Sequence, residues 1–260
     1  MISKQLFARE HISNLMVNIL SHIVEFRNGE SGLHVLHIGT ITEILLNKLM
    51  GMEENPYELT RAEVAMISTA SALHDIGKIS IPEEVLNKPG RLTDEEFEII
   101  KQHSAVGAEM LADLPFHNDE KLVTTAHDIC RWHHERWDGG GYPDGLCADE
   151  IPISAQVVAL ADVYDALTSE RVYKPAYSHQ KAIDMILGGE CGAFNPLLLD
   201  CLLEARDEIK DAVNIQSLTG VSERELNSMA AEIDSNEFLS DGEKADMLRD
   251  IWNLANDAGY

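Results

Sequence analysis

Basic residues are scarce in this chain of 260 residues: 20 Lys and Arg stand against 45 Asp and Glu, a formal net charge of −25. Sequence-independent binding to a nucleic-acid backbone needs a broad basic face, so a DNA or RNA polymer is excluded as partner. A small anionic substrate is not, because a few cations or metal ions reverse the local field of one cleft. Paired cysteines are lacking as well. Cys130, Cys147, Cys191 and Cys201 form no CxxC motif and lie well apart, which reads as free thiols of a reducing compartment. Long apolar runs are missing: the opening MISKQLFAREHISNLMVNIL is broken by Lys4, Arg9, Glu10 and His11, so it is neither a secretory leader nor a membrane span. The expectation is a soluble, cytoplasmic protein with no membrane partner.

What the chain does have is enough apolar material for a core, 45% hydrophobic against 25% charged residues. Its period is helical and long alternating runs are absent. A first segment places Ile12, Leu15, Ile19 and Ile23 at helical spacing, and a second, from about Ser31 through Leu49, lines up Ile38, Ile41, Leu45 and Leu49. His34, four residues before Ile38, falls on that inward stripe. Four capping boxes mark helix starts: Thr60 with Glu63, Thr93 with Glu96, Ser222 with Glu225 and Ser240 with Glu243. ISAQVVALADVYDAL is too long and too Ala-rich for a strand and reads as a helix. The Gly- and Pro-bearing stretches GKISIPEEVLNKPGR and DGGGYPDGLCADEIPIS read as loops. From Asp200 to Tyr260 the chain carries 15 acidic and 5 basic residues. This acidic segment suits two short amphipathic helices, near 223–233 and 242–253, and reads as a solvated helical extension.

Histidine carries the chemistry. Each loop follows a cluster of His and acidic residues: His74-Asp75 ends an apolar helical run, and His133-His134 precedes the Gly-rich stretch. Glu30 and His34 are one helical turn apart, His103 lies in the helix opened by Thr93, and Asp162 lies in a later helix. Neutral imidazole and carboxylate form the usual ligand set of Fe, Mn or Zn in hydrolytic sites. Single histidines such as His11, His22, His117 and His179 read as packing or surface residues. His127-Asp128, a second His-Asp pair without the Gly-Lys continuation, reads as structural, and Cys130 as a buried thiol.

HDIGKISIP at His74–Pro82 and HHERWDGGGYPDG at His133–Gly145 together resemble the paired signatures of the HD-GYP domain family. The resemblance continues in NGESGLH at Asn28–His34, ALADVYDALTSERVYK at Ala159–Lys174 and, more weakly, GAFNP at Gly192–Pro196. It departs at His37, where many members carry Arg, which puts a local packing or phosphate-side contact in doubt. The resemblance implies an all-α, HD-type helical bundle with a metal centre in its core, spanning 29–205 between an N-terminal connector (1–28) and the acidic extension (206–260).

Carried over by position, His34, His74, Asp75 and Asp162 are the ligands shared with the wider HD superfamily. His103, His133 and His134 match the ligands of a second metal, with Asp75 bridging, and Glu30 matches the residue that allows a third in some members. By the same resemblance Lys78 would meet the scissile phosphate, Arg171 and Lys174 would hold substrate phosphates, and Tyr142 and Pro143 would border the cleft. Two or three divalent ions, Fe or Mn, and hydrolysis of cyclic di-GMP to pGpG or GMP are what the family implies. Two other readings stay open: a hydrolase for another nucleotide, such as a hybrid cyclic dinucleotide, or a catalytically weak module that binds the dinucleotide and reports it to partners. Members usually sit behind a receiver, sensory or GGDEF-type partner domain, and a homodimer is left open.

Overall fold

The stripe that begins near Ser31 becomes helix α1, Leu33–Met50, and Ile38, Ile41, Leu45 and Leu49 are all fully buried in it. Helices α2 (Arg61–Ser71) and α4 (Asp94–Ala112) start where Thr60 and Thr93 indicate. In each, the threonine Oγ1 accepts from the N3 amide at 3.2 Å while the N3 glutamate accepts from the threonine amide. The remaining helices are α3 (Glu83–Leu86), α5 (Lys121–Trp132), α6 (Ile153–Thr168), α7 (His179–Leu187) and α8 (Pro196–Thr219), with 3-10 turns at Ile76–Ser80 and Ala148–Glu150. This computed structural model describes residues 33–53, 55–115, 120–169 and 176–219, together with Val17, Ile19, Leu20, Ser21, Ile23, Val24, Arg27 and Lys244. Among the described residues every regular element is helical, in keeping with the all-α expectation. The first loop differs in part, because GKISIPEEVLNKPGR folds its beginning into a 3-10 turn and then into α3. Glu30, Arg171, Lys174, His11, His22, His117 and the segments 223–233 and 242–253 lie outside the described residues, save Lys244.

The chain divides into two compact units, Met1–Arg206 and Asp207–Tyr260. In the first, α6 is the central element. Ala155, Val157, Val158, Leu160 and Ala161 are buried around its whole circumference, as expected of a helix enclosed by others. It packs on α1, α5 and α7, while α4 packs on α5 and on the 3-10 turn after His74-Asp75. Each fully buried Leu or Ile in this core contributes about 1.5–3 kcal/mol by transfer from water.

The contact between α4 and the 3-10 turn is made backbone to backbone. A Cβ on Gly77 would stand 1.9 Å from the His103 carbonyl oxygen, and one on Gly107 would stand 2.4 Å from Cys130 Sγ. Glycine at both positions lets the turn carrying Asp75 lie directly on the helix carrying His103. Arg27 also holds this turn, giving N–H groups to the carbonyls of Lys78, Ile79 and Ile81 at 3.1, 2.6 and 2.9 Å.

Candidate metal centre

His34 enters from the first turn of α1, His74 and Asp75 from just beyond α2, His103 from α4, His133 and His134 from the end of α5, and Asp162 from α6. Their donor atoms form two groups, each with its atoms within 4.8 Å of one another: Asp75, His103, His133 and His134 in one, His34, His74 and Asp162 in the other. The groups meet at the His-Asp dipeptide, where His74 Nε2 stands 3.1 Å from Asp75 Oδ2. Asp75 Oδ1 is 3.2 Å from His103 Nε2 and 3.9 Å from His133 Nε2, and His34 Nε2 is 3.7 Å from Asp162 Oδ1.

Whether these residues suit a cation follows from where their protons sit. His74 Nδ1 donates to the Ser71 carbonyl at 2.9 Å, His103 Nδ1 to Ile100 at 2.6 Å, and His133 Nδ1 to Ile129 and Cys130 at 3.0 Å each. A carbonyl only accepts, so each of these Nδ1 atoms carries a proton, and the lone pair of each ring in its neutral form is the Nε2 one, which faces the cluster. His103 Nε2 and His133 Nε2 then face each other at 3.5 Å. His74 Nε2 and Asp75 Oδ1 are buried without a hydrogen bond. Buried lone pairs pointing at one another are costly unless a cation lies among them. The set fits divalent metal.

Electrostatics favour the ligand forms of His133, His134 and Asp75. Burial and the neighbouring His134 hold His133 well below the ordinary imidazole value, and burial with His103 pushes His134 down to about 3. Burial works against an anionic Asp75, but Lys78 and His74 outweigh it and hold the carboxyl well below the usual range. Burial disfavours protonated His74, yet the charge of Asp75 raises its pKa.

A protein-family model described as an HD domain matches residues 33–190, the stretch that contains all the donors named in these two groups. The chain belongs to the HD domain family, in its HD-GYP branch. A cyclic di-GMP phosphodiesterase of Vibrio cholerae is 41% identical over 73% of the chain and 39% of its own length. A 3'3'-cGAMP-specific phosphodiesterase 2 of the same organism is 38% identical over 77% of the chain and 36% of its own length. A cyclic di-GMP phosphodiesterase response regulator of Xanthomonas campestris is 36% identical over 74% and 47%. The chain thus spans less than half the length of each of these three relatives.

Within this HD-GYP domain, sequence reasoning missed the residue that supports His34. Asp165, itself buried, accepts from His34 Nδ1 at 2.7 Å with one oxygen and from His37 Nδ1 at 2.6 Å with the other, and Ser169 Oγ adds a bond at 2.9 Å. Burial alone would raise its pKa; the bonds from His34 and His37 hold it far below the carboxylate range. A carboxylate behind an imidazole fixes the tautomer that presents Nε2 to a metal. The available signal was the spacing Asp162-x-x-Asp165, which puts both carboxylates on one face of α6. The doubt at His37 resolves into this contact with Asp165.

Lys78 Nζ lies 2.6 Å from Asp75 Oδ2 with its side chain 16% exposed, so the cation sits at the mouth of the donor cluster. The Tyr142 ring stacks on His134, centroids 4.8 Å apart at 28°, and its amide bonds the His134 carbonyl at 3.2 Å. Pro143 follows a cis peptide and is exposed. Two acidic residues that the sequence reading passed over shape this loop. Asp144 takes a two-point bond from Arg131 at 2.7 and 2.8 Å, and Glu135 accepts the amides of Asp144 and Gly145 at 2.7 and 3.0 Å. His127 bonds Asp128 at 2.9 Å and stands in neither donor group, and Cys130 is a fully buried thiol whose pKa burial raises.

Proposed function

We propose that this domain is a metal-dependent phosphodiesterase that hydrolyses cyclic di-GMP to pGpG, GMP or both. The observation that carries the reading is the pair of donor groups joined at His74-Asp75, with inward lone pairs and a lysine at their mouth. His34, His74 and Asp162 would hold one ion, His103, His133 and His134 a second, and Asp75 would be shared between them. Two adjacent divalent ions, when bound, supply Lewis-acid stabilisation of phosphate charge and a lowered pKa for the attacking water. Lys78 would meet charge building on the phosphate. Burial raises the Tyr142 pKa, so its hydroxyl stays protonated and able to donate at the edge of the cleft. Glu30 as ligand to a third ion, and Arg171 and Lys174 as phosphate contacts, rest on the family resemblance. So do iron or manganese as the metal and a receiver-type partner domain, which the response-regulator name of one relative supports. The four free cysteines accord with a cytoplasmic setting.

A second reading, hydrolysis of a hybrid guanine–adenine cyclic dinucleotide, is supported by the relative named for 3'3'-cGAMP. The test is incubation of protein loaded with Fe(II) or Mn(II) with cyclic di-GMP, 3'3'-cGAMP and cyclic di-AMP, with chromatography of the products. Preferential formation of pGpG or GMP from cyclic di-GMP upholds the first reading, and preference for the hybrid upholds the second. Tight binding without turnover for any metal would instead assign a signal-binding module.

A further inference from the structure

Helix α4 carries more than His103 toward the cleft. Four residues apart on the same helix, and ahead of His103, stand Phe97 and Lys101. Phe97 is 46% exposed, the one exposed phenylalanine among the described residues. Its ring meets Tyr142 edge to face, centroids 6.4 Å apart at 82°, and Tyr142 in turn stacks on His134. A continuous run of rings therefore leads from a residue of the donor cluster outward to an open apolar face. Lys101 Nζ lies 5.1 Å from the Phe97 centroid and 5.6 Å from that of Tyr142, and its side chain is 28% exposed and paired with the exposed Glu98 at 2.5 Å. Such a surface pair exchanges partners at little cost.

A planar ring held open beside the donor cluster, with an ammonium over it that can leave Glu98 for a new acceptor, has the elements of a nucleobase seat. Bases stack on aromatic side chains whatever their identity. The neighbouring cation adds discrimination, because guanine presents two acceptors, O6 and N7, where adenine pairs its N7 with an N6 donor. We propose that Phe97 and Lys101 form a guanine seat: Phe97 stacks one base of the cyclic dinucleotide whose phosphate lies at the donor cluster, and Lys101 donates to O6 and N7. This rests on the phosphodiesterase reading and names the residues that would set its base preference.

The experiment compares wild type, Phe97→Ala, Phe97→Trp and Lys101→Met, loaded with Mn(II), on cyclic di-GMP and cyclic di-AMP, with metal content and melting as controls. Phe97→Ala should raise KM for both substrates about tenfold or more, with kcat within about twofold and metal content unchanged, and Phe97→Trp should recover the affinity. Lys101→Met should raise KM for cyclic di-GMP alone and narrow the guanine-over-adenine preference about tenfold. An unchanged KM in Phe97→Ala, or an unchanged preference in Lys101→Met, overturns the seat. Should Phe97→Ala fail to fold, Lys101→Met, a surface change, decides alone. Wild type that cleaves neither dinucleotide contradicts the phosphodiesterase reading instead. Calorimetric binding of GMP against AMP then decides the seat separately: a GMP preference lost in Lys101→Met upholds it, and the absence of any preference overturns it.

Discussion

The two donor groups lean on different supports. In the group of Asp75, His103, His133 and His134, the imidazoles of His103 and His133 are aimed by carbonyls of their own helices, Ile100 on α4 and Ile129 and Cys130 on α5. In the group of His34, His74 and Asp162, His74 also leans on a carbonyl, but His34 leans on the Asp165 side chain, which His37 shares. Carbonyl support comes with the helix and no single side-chain change removes it. Carboxylate support is one atom exchange away from failure. The first group should therefore be robust to changes around it, and the second should be tunable through Asp165.

The harshest way to break this comparison is to remove what the groups share. Asp75→Ala should abolish metal retention and bring hydrolysis of cyclic di-GMP below detection, because Asp75 touches donors of both groups. Elemental analysis and product chromatography read this, and near-normal activity with metal still bound would refute the shared role. Asp165→Asn should come next. It turns one acceptor into an amide N–H facing a ring N–H, so metal affinity should fall about 10–100-fold, with the loss confined to one ion of the pair. Metal titration followed by calorimetry separates one weakened site from two, and two equally weakened sites would erase the difference between the supports.

Smaller changes sharpen the contrast. Thr93→Ala removes the cap of α4 and should lower stability by about 1 kcal/mol in denaturant unfolding. Metal stoichiometry should hold, since the Ile100 carbonyl that aims His103 lies well inside the helix. The smallest effect concerns pH. Arg131 and Trp132 hold the Asp144 carboxyl below its usual range, so its contribution is complete above the ordinary carboxylate pKa of about 3.9 and is lost as pH falls through the lowered value. Asp144→Asn should flatten the acid limb of the stability profile by under about 1 kcal/mol, as befits a surface pair whose side chains are 29% and 33% exposed.

The same contrast explains what could be read from the sequence. Helical period and capping boxes gave α1, α2 and α4 because these signals are local. Among the donors, His74-Asp75 and His133-His134 stood out as contiguous pairs, whereas His34, His103 and Asp162 are single residues on separate helices and were picked out by the family resemblance. Asp165 was not, because its partners His34 and His37 lie more than a hundred positions away and an acidic residue in a helix ordinarily faces water. Glu135 and Asp144 were hidden for a related reason, since their bonds to loop amides and to Arg131 exist only once the Gly-rich loop has folded back on α5. Phe97 and Lys101 belong to no sequence motif, and what marks them is the Tyr142 ring packed against both.

Metal stoichiometry in wild type and in Asp162→Asn tests the two-group centre most directly. Asp162 belongs to one group alone, so wild type should hold at least two divalent ions per chain by elemental analysis, and the variant should lose one while keeping the other. A wild-type protein with a single ion, or a variant that keeps or loses every ion together, would contradict two adjacent seats.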